Sequence, residues 1–127
     1  MTQDRPTATE LVTAVREFLE RDVMPATEGR VQFHTRVAVN VLAIVERELT
    51  LGPELAAGER ARAIALLGHD ADGDAPADAL ERELAAAIRS GALDDRLDAV
   101  RAHVRATVRE KLLIANPHYL PAGDADT

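Results

Sequence analysis

The segment RVQFHTRVAVNVLAIVERELT, residues 30–50, decides the fold class of this 127-residue chain. Its apolar side chains recur every three or four residues, which is the spacing of one face of an α-helix. They cover about half of the helix circumference, and a helix with so wide an apolar face contacts several neighbours at once. These positions are Phe33, Val37, Ala38, Val41, Leu42, Ile44, Val45 and Leu49. The segment therefore predicts a central helix that packs among others.

The same spacing predicts four further helices. Thr7 and Glu10 form a capping-box pattern at the start of the first one. Gly52-Pro53 is expected to end the central helix and so to separate it from a third helix. Short connections between amphipathic helices favour an all-α fold, an antiparallel bundle of about five helices. The predicted helices span residues 7–23, 30–50, 54–67, 76–90 and 94–115.

Length and composition predict a single helical domain over residues 1–127, with an ordered core at about 6–120 and a disordered tail at 121–127. The net charge of −7 and the aromatic content of 2% argue against a nucleic-acid partner. No apolar run of membrane-spanning length occurs, and the N-terminus lacks a secretion signal pattern. We therefore expect a cytoplasmic protein with no membrane partner.

Three titratable side chains interrupt the predicted apolar faces. His34 falls in the middle of the central face, Glu48 lies at its edge, and Lys111 lies within the apolar stripe of the fifth helix. A buried charge without a partner is costly, so each side chain needs a partner, a path to solvent or an interface. One interpretation is a polar pocket for an anionic or carbonyl-bearing ligand. The alternative is a hydrogen-bonded core histidine and a lysine that reaches solvent.

The polar strip of the central helix contains Arg36, Asn40 and Arg47. Two arginines and an amide can bind a carboxylate or a phosphate, because each guanidinium is a planar fork of donors. The alternatives are a solvated helix face, or an asparagine that bonds to the backbone of a neighbouring loop. With His34, Glu48 and Lys111, these three residues complete the set of candidate ligand- or partner-binding residues.

Catalytic and metal-binding motifs are not found. None of the four histidines has a second one four residues away on the same helix, which zinc sites on helices require. The acidic loop at 68–75 has Ala75 where a calcium loop needs glycine. Phosphate-binding loops and nucleophile motifs are also missing. The sequence predicts no catalytic residues, no metal and no cofactor, so an enzymatic function is not supported.

The stretches FHTRVAVN (33–40), IVEREL (44–49), RPTATEL (5–11) and KLLIANP (111–117) resemble a bacterial family of helical proteins of unknown function. Genes of that family often lie beside, or are fused to, genes for aminoglycoside-phosphotransferase-like kinases, and near genes for acyl-CoA dehydrogenase-like proteins. The resemblance implies an accessory role with such a kinase-like or dehydrogenase-like partner. It transfers no catalytic residue.

Two functions therefore stay open. The favoured one is an accessory or interaction domain that binds such a partner, or a second copy of itself as a homodimer. It predicts an exposed apolar patch that includes parts of the first or fifth helix. The alternative is a small-ligand-binding bundle with a polar pocket around His34, Asn40 and Lys111.

Overall fold

The computed structural model describes residues 5–68 and 75–121, and every regular element in these ranges is helical. The all-α prediction is confirmed. A π-helical turn, Leu19–Val23, follows the first helix, and 3₁₀ turns at Asp94–Arg96 and Pro117–Tyr119 flank the last. Residues 69–74 of the loop predicted at 68–75, and the predicted tail beyond Pro121, lie outside the described residues. The helices are α1 (Ala8–Phe18), the single turn α2 (Met24–Ala26), α3 (Gly29–Leu67), α4 (Ala77–Ser90) and α5 (Leu97–Ala115).

The capping box at the start of α1 is confirmed. The Thr7 hydroxyl accepts a hydrogen bond from the Glu10 backbone N–H at 3.2 Å, and the Glu10 carboxylate accepts one from the Thr7 N–H at 3.3 Å. Two N–H groups that lack helical partners are thereby satisfied. Gly91 ends α4 in the left-handed conformation at φ 84°, as glycine permits, and Pro76 directly precedes the first turn of α4.

The predicted break at Gly52-Pro53 is wrong, because α3 continues through both residues for 39 residues in all. A glycine that ends a helix adopts a positive φ, and Gly52 does not. Pro53 lacks an N–H, so the helix loses one backbone hydrogen bond there. The predicted second and third helices are therefore one helix, and four helices longer than a single turn form the described chain.

The chain divides into two compact units, and the prediction of a single domain stays a prediction. The first unit runs to Gly52 and includes Ile114–Asn116. Its buried side chains include Val39 and Thr35, whose hydroxyl donates to the Val31 carbonyl at 2.7 Å. Arg16 of α1 forms an ion pair with Glu46 of α3 inside this unit. This partly buried ion pair joins α1 to α3.

The second unit contains most of the buried apolar side chains. It runs from Pro53 to Leu113 and from Pro117 onward. Leu80 of α4 is the most deeply buried residue, with 1% of its surface exposed. The Arg96 guanidinium donates to the carbonyl of Leu66 near the end of α3. The buried side chains form two clusters, Leu66, Leu84, Leu93 and Val100 in one and Ala63, Ala75 and Leu80 in the other.

Helix α5 does not bury the apolar stripe that its periodicity indicates. Val100 is buried, but Val104 and Val108 are exposed, while His103 is buried on the polar side that adjoins the stripe. Burial of a polar face is tolerated only where each polar group has a partner, and the polar partners of α5 come from α3. Within the described residues, no helix has both the length and the apolarity that crossing a bilayer requires.

Candidate functional site

Arg62 of α3 is the centre of a polar cluster in the second unit. Its two terminal nitrogens donate to the two carboxylate oxygens of Glu110, each at 2.8 Å. Its Nε donates to His103 Nδ1 at 3.3 Å, and Nη2 lies 3.4 Å from the Thr107 hydroxyl. One guanidinium therefore satisfies three side chains of α5, which explains why their side of the helix faces inward.

The ring of His103 is held in its neutral form. Arginine is only a donor, so Nδ1 must supply a lone pair and the ring proton must sit on Nε2. Burial lowers the pKa of His103, and the positive charge of Arg62 lowers it further, although Glu110 and Glu81 act in the opposite direction. The histidine is thus an acceptor for Arg62 at neutral pH.

Two carboxyl groups meet beside this cluster. Burial raises the pKa of Glu59, and a hydrogen bond between its side chain and that of Glu81 raises it further, while Lys111 lowers it. The carboxylates of Glu59 and Glu81 repel each other, and a cation bound nearby would relieve that repulsion.

These polar groups border a cavity of about 290 Å³ in the second unit. Lys111 lines it, as the sequence interpretation of a polar pocket requires, but the two carboxyl groups line it as well. The cavity is therefore not a site for anions alone. Its lining consists of Glu59, Glu81, His103, Thr107 and Lys111 on the polar side, and Leu84, Ala85, Ile88, Val104 and Val108 on the apolar side.

Of the candidate residues in the central polar strip, Arg47 forms a described hydrogen bond to another helix. The acceptor is on α5, in the part that belongs to the first unit. The Nε of Arg47 donates to the carbonyl of Ile114 at 2.7 Å. The carbonyls in the last turn of a helix lack helical donors, and a cation there also opposes the negative end of the helix dipole. Arg47 therefore caps the C-terminal end of α5.

His34, Arg36, Asn40 and Glu48 are exposed on α3. The His34 ring contacts the Phe33 ring edge-to-face, with centroids 5.4 Å apart, and lines a cavity of about 330 Å³ in the first unit. Among the described residues, the Asn40 side chain has no hydrogen-bond partner, and Asn40 lines neither this cavity nor that of Lys111. The predicted pocket around His34, Asn40 and Lys111 is therefore not assembled within either unit.

The apolar face of the central segment is largely exposed. Phe33 exposes 61% of its surface, Val41 51% and Val37 43%, and Val45 follows one turn later. We call these four residues the α3 face. On α1, Leu11, Val15 and Phe18 are exposed at helical spacing, and we call them the α1 stripe. A domain that buried all its apolar faces within one copy would not show two such rows.

The family model for DUF6285, a domain of unknown function, matches residues 25–119, most of the chain. The chain belongs to the DUF6285 family. The matched region contains the whole polar cluster and all six candidate residues, whereas α1 lies before it. A search of curated proteins and a search of solved structures each find no match.

Sequence reasoning missed Arg62 and Glu59, two central residues of the polar cluster in this DUF6285 chain. A signal was present, because both lie between Leu55 and Leu66 at helical spacing, on the side of α3 that buries Ala63. His103 was missed as well, because helical periodicity places it off the apolar stripe of α5, and yet the structure buries it. Among the described residues, no group of three or more histidine or acidic side chains is arranged to hold a metal ion.

Proposed function

We propose that this DUF6285 domain is an accessory domain that binds another protein through the α3 face. The observation that supports the proposal is the exposure of Phe33, Val37 and Val41, which repeat every four residues along one side of a helix. Rows of this kind insert into the apolar groove of a partner, where each side chain fills a separate pocket. Desolvation of these side chains would provide most of the binding free energy.

The charges beside the α3 face favour an acidic partner surface. Arg30, His34 and Arg36 lie along this part of α3, and no acidic residue occurs between Glu28 and Glu46. The chain as a whole has a net charge of −7, so this cationic segment is a local exception. Opposite charges at the rim of an interface accelerate association and select the partner. The partner would therefore offer an apolar groove with acidic residues at its rim.

The resemblance of the sequence adds a candidate for that partner. We propose a bacterial kinase-like phosphotransferase or an acyl-CoA dehydrogenase-like protein from the same gene neighbourhood. The experiment is sedimentation of the purified chain mixed with each of these two proteins. A complex with one of them is the expected result, and its loss in a Val37→Glu/Val41→Glu double variant would locate the interface on the α3 face.

The matched control is Ala57→Glu, which adds the same side chain at an exposed position on the same helix, outside the α3 face. This variant is expected to form the complex as the wild type does. If neither protein forms a complex, the proposed partner class is wrong. If the double variant binds as well as Ala57→Glu does, the α3 face is not the interface.

A second candidate function, small-ligand binding, is favoured by the cavity that Glu59, Glu81 and Lys111 line. Its volume lies at the lower end of the range for small-molecule sites, and two carboxyl groups beside apolar walls suit a ligand with an ammonium group and an alkyl body. Hexylamine is expected to raise the melting temperature, whereas hexanoate is not. The hexylamine effect should disappear in Glu59→Gln. Equal effects of the amine and the acid would contradict this candidate.

A further inference from the structure

The cavity of about 290 Å³ in the second unit offers a ligand both negative and positive charge. Glu59 of α3 and Glu81 of α4 line it with carboxyl groups, and Lys111 of α5 lines it with an ammonium group. Lys111 lies near enough to Glu59 to lower the pKa of that carboxyl. Among the described residues, however, Lys111 has no ion-pair partner. Opposite charges therefore lie near each other in one cavity without a direct contact between them.

His103 adds a donor that carries no charge. Its Nδ1 accepts a hydrogen bond from Arg62 at 3.3 Å, so the ring proton is on Nε2. The side chain is only 6% exposed and lines the cavity, and no described residue accepts a hydrogen bond from Nε2. The described part of the chain has no side-chain nitrogen that is both fully buried and unpaired, so this N–H is reachable from the cavity. A ligand oxygen would be its acceptor.

Apolar side chains of two helices form the remaining walls of the cavity. Leu84 and Ile88 are one turn apart on α4, and Val104 and Val108 are one turn apart on α5. Four residues rise roughly 6 Å along a helix, which suits an alkyl group of the size of a leucine side chain. Val104 and Val108 are about half exposed, so such a group would cover apolar surface that the chain itself leaves in water.

Ligands with one kind of charge leave part of this lining unused. An alkylamine pairs with the carboxyl groups but gives no acceptor to Lys111 or to the Nε2–H of His103. A simple carboxylate meets two carboxyl groups of its own sign, and a phosphate ester meets the same repulsion with more charge. A zwitterion with adjacent charges has an ammonium for the carboxyl groups and a carboxylate for the two donors.

We propose that this cavity binds an α-amino acid with an aliphatic side chain. The ammonium group donates to Glu59 and Glu81, the carboxylate accepts from Lys111 and from Nε2 of His103, and the side chain lies against the apolar walls. The proposal rests on the second candidate function, small-ligand binding, and names the class of ligand. It does not involve the α3 face, so it is independent of the proposed accessory function.

The test is isothermal titration calorimetry of the full chain with L-norleucine and with the two compounds that each lack one of its charges. Pentylamine is norleucine without the carboxylate, and hexanoate is norleucine without the ammonium group. L-Norleucine is expected to bind about three- to tenfold more tightly than pentylamine, because its carboxylate adds a hydrogen bond and a partly solvated ion pair. Hexanoate is expected not to bind.

Variants assign each charge of the ligand to its partner. Lys111→Met should lower the affinity for L-norleucine to that for pentylamine, whereas Lys111→Arg keeps the positive charge and should keep the preference. Glu59→Gln should weaken the binding of both ligands. Arg101→Met, at an exposed position of α5 outside the cavity, is the control and should bind as the wild type does. Circular dichroism verifies that each variant folds.

The outcomes separate this proposal from the function on which it rests. If pentylamine binds as tightly as L-norleucine, or if the preference for L-norleucine survives in Lys111→Met, the proposal is wrong while small-ligand binding holds. If neither compound binds, both are wrong. Binding of L-norleucine that Glu59→Gln leaves unchanged would place the ligand outside this cavity and would also overturn the proposal.

Discussion

The guanidinium of Arg62 holds both carboxylate oxygens of Glu110 at 2.8 Å, although the two residues lie 48 positions apart in the sequence. The same group donates to His103 Nδ1 at 3.3 Å. Three of the inward polar contacts of α5 therefore depend on one side chain of α3. Removal of Arg62 would therefore leave three side chains of α5 without the donor that the structure gives them.

Arg62→Ala is expected to destabilise the fold by about 2–4 kcal/mol, because it leaves a partly buried carboxylate and an imidazole nitrogen without a donor. Urea unfolding followed by circular dichroism measures the change. Arg82→Ala is the matched control, since Arg82 pairs with Asp78 at 2.7 Å but both side chains lie mostly in solvent. Such an exposed pair contributes little. Equal losses in the two variants would show that the Arg62 cluster has no special role.

Acidification should destabilise the protein through His103. Its pKa in the folded state is below the ordinary value of 6.5, chiefly because the ring is buried. In the unfolded chain the pKa of His103 returns to the ordinary value. Between the folded and unfolded pKa values the unfolded chain binds a proton that the folded chain does not, so stability decreases as the pH falls below about 6.5. Unfolding free energies at pH 7 and pH 5.5 should therefore differ less in His103→Gln than in wild type. If the difference between pH 7 and pH 5.5 were the same in both proteins, His103 would not be the source of the pH dependence.

The helices and several of their ends were predictable from the sequence, because those signals are local. Thr7 and Glu10 cap α1 as their spacing indicates, and Gly91 ends α4 where glycine at the left-handed position is favoured. The error at Gly52-Pro53 has a local cause as well. Glycine and proline permit a break in a helix but do not require one when the residues on both sides favour helix.

The side of α5 that faces inward was not predictable, because it depends on a distant residue. Periodicity identifies Val104 and Val108 as core positions, but the partners available from α3 determine which face is buried. Arg62 supplies donors for the adjoining polar face, and the two valines remain about half exposed. The sequence interpretation placed a polar pocket around His34, Asn40 and Lys111, and of these three Lys111 lines the cavity that Glu59 and His103 also line.

Glu59→Gln is expected to stabilise the protein at neutral pH by up to about 1 kcal/mol. The pKa of Glu59 in the folded state is raised above 4.5, mainly by burial, so the folded chain binds more protons than the unfolded chain above that pH. Stability therefore decreases as the pH rises through this range, and the neutral amide removes the effect. Glu83→Gln, on the exposed side of α4, is the control. Thermal unfolding at pH 7 compares the two, and a loss of stability in Glu59→Gln would contradict the argument.

Arg47 and Asn40, two polar residues of the central strip, should respond differently to replacement by alanine. Arg47→Ala leaves the Ile114 carbonyl without its donor at 2.7 Å and should cost about 1–2 kcal/mol. Asn40→Ala should change the free energy of unfolding by a few tenths of a kcal/mol at most, because an exposed side chain with no described partner loses nothing. Chemical denaturation of both variants gives the comparison. A large loss in Asn40→Ala would indicate a contact formed only in an assembly.

Replacement of two glycines by alanine, one inside a helix and one at a helix end, should change stability in opposite directions. Gly58 lies inside α3, and an added Cβ would sit 3.5 Å from Arg62 Nη1, an ordinary van der Waals distance. Gly58→Ala should therefore stabilise the fold by about 0.5–1 kcal/mol, because alanine loses less backbone entropy in a helix. Gly91 has φ 84°, and a Cβ there would lie 3.1 Å from the Asp94 carboxylate. Gly91→Ala should destabilise by about 1 kcal/mol or more. Opposite shifts in melting temperature are the expected result, whereas a destabilised Gly58→Ala would show that α3 is not a continuous helix across this position in solution.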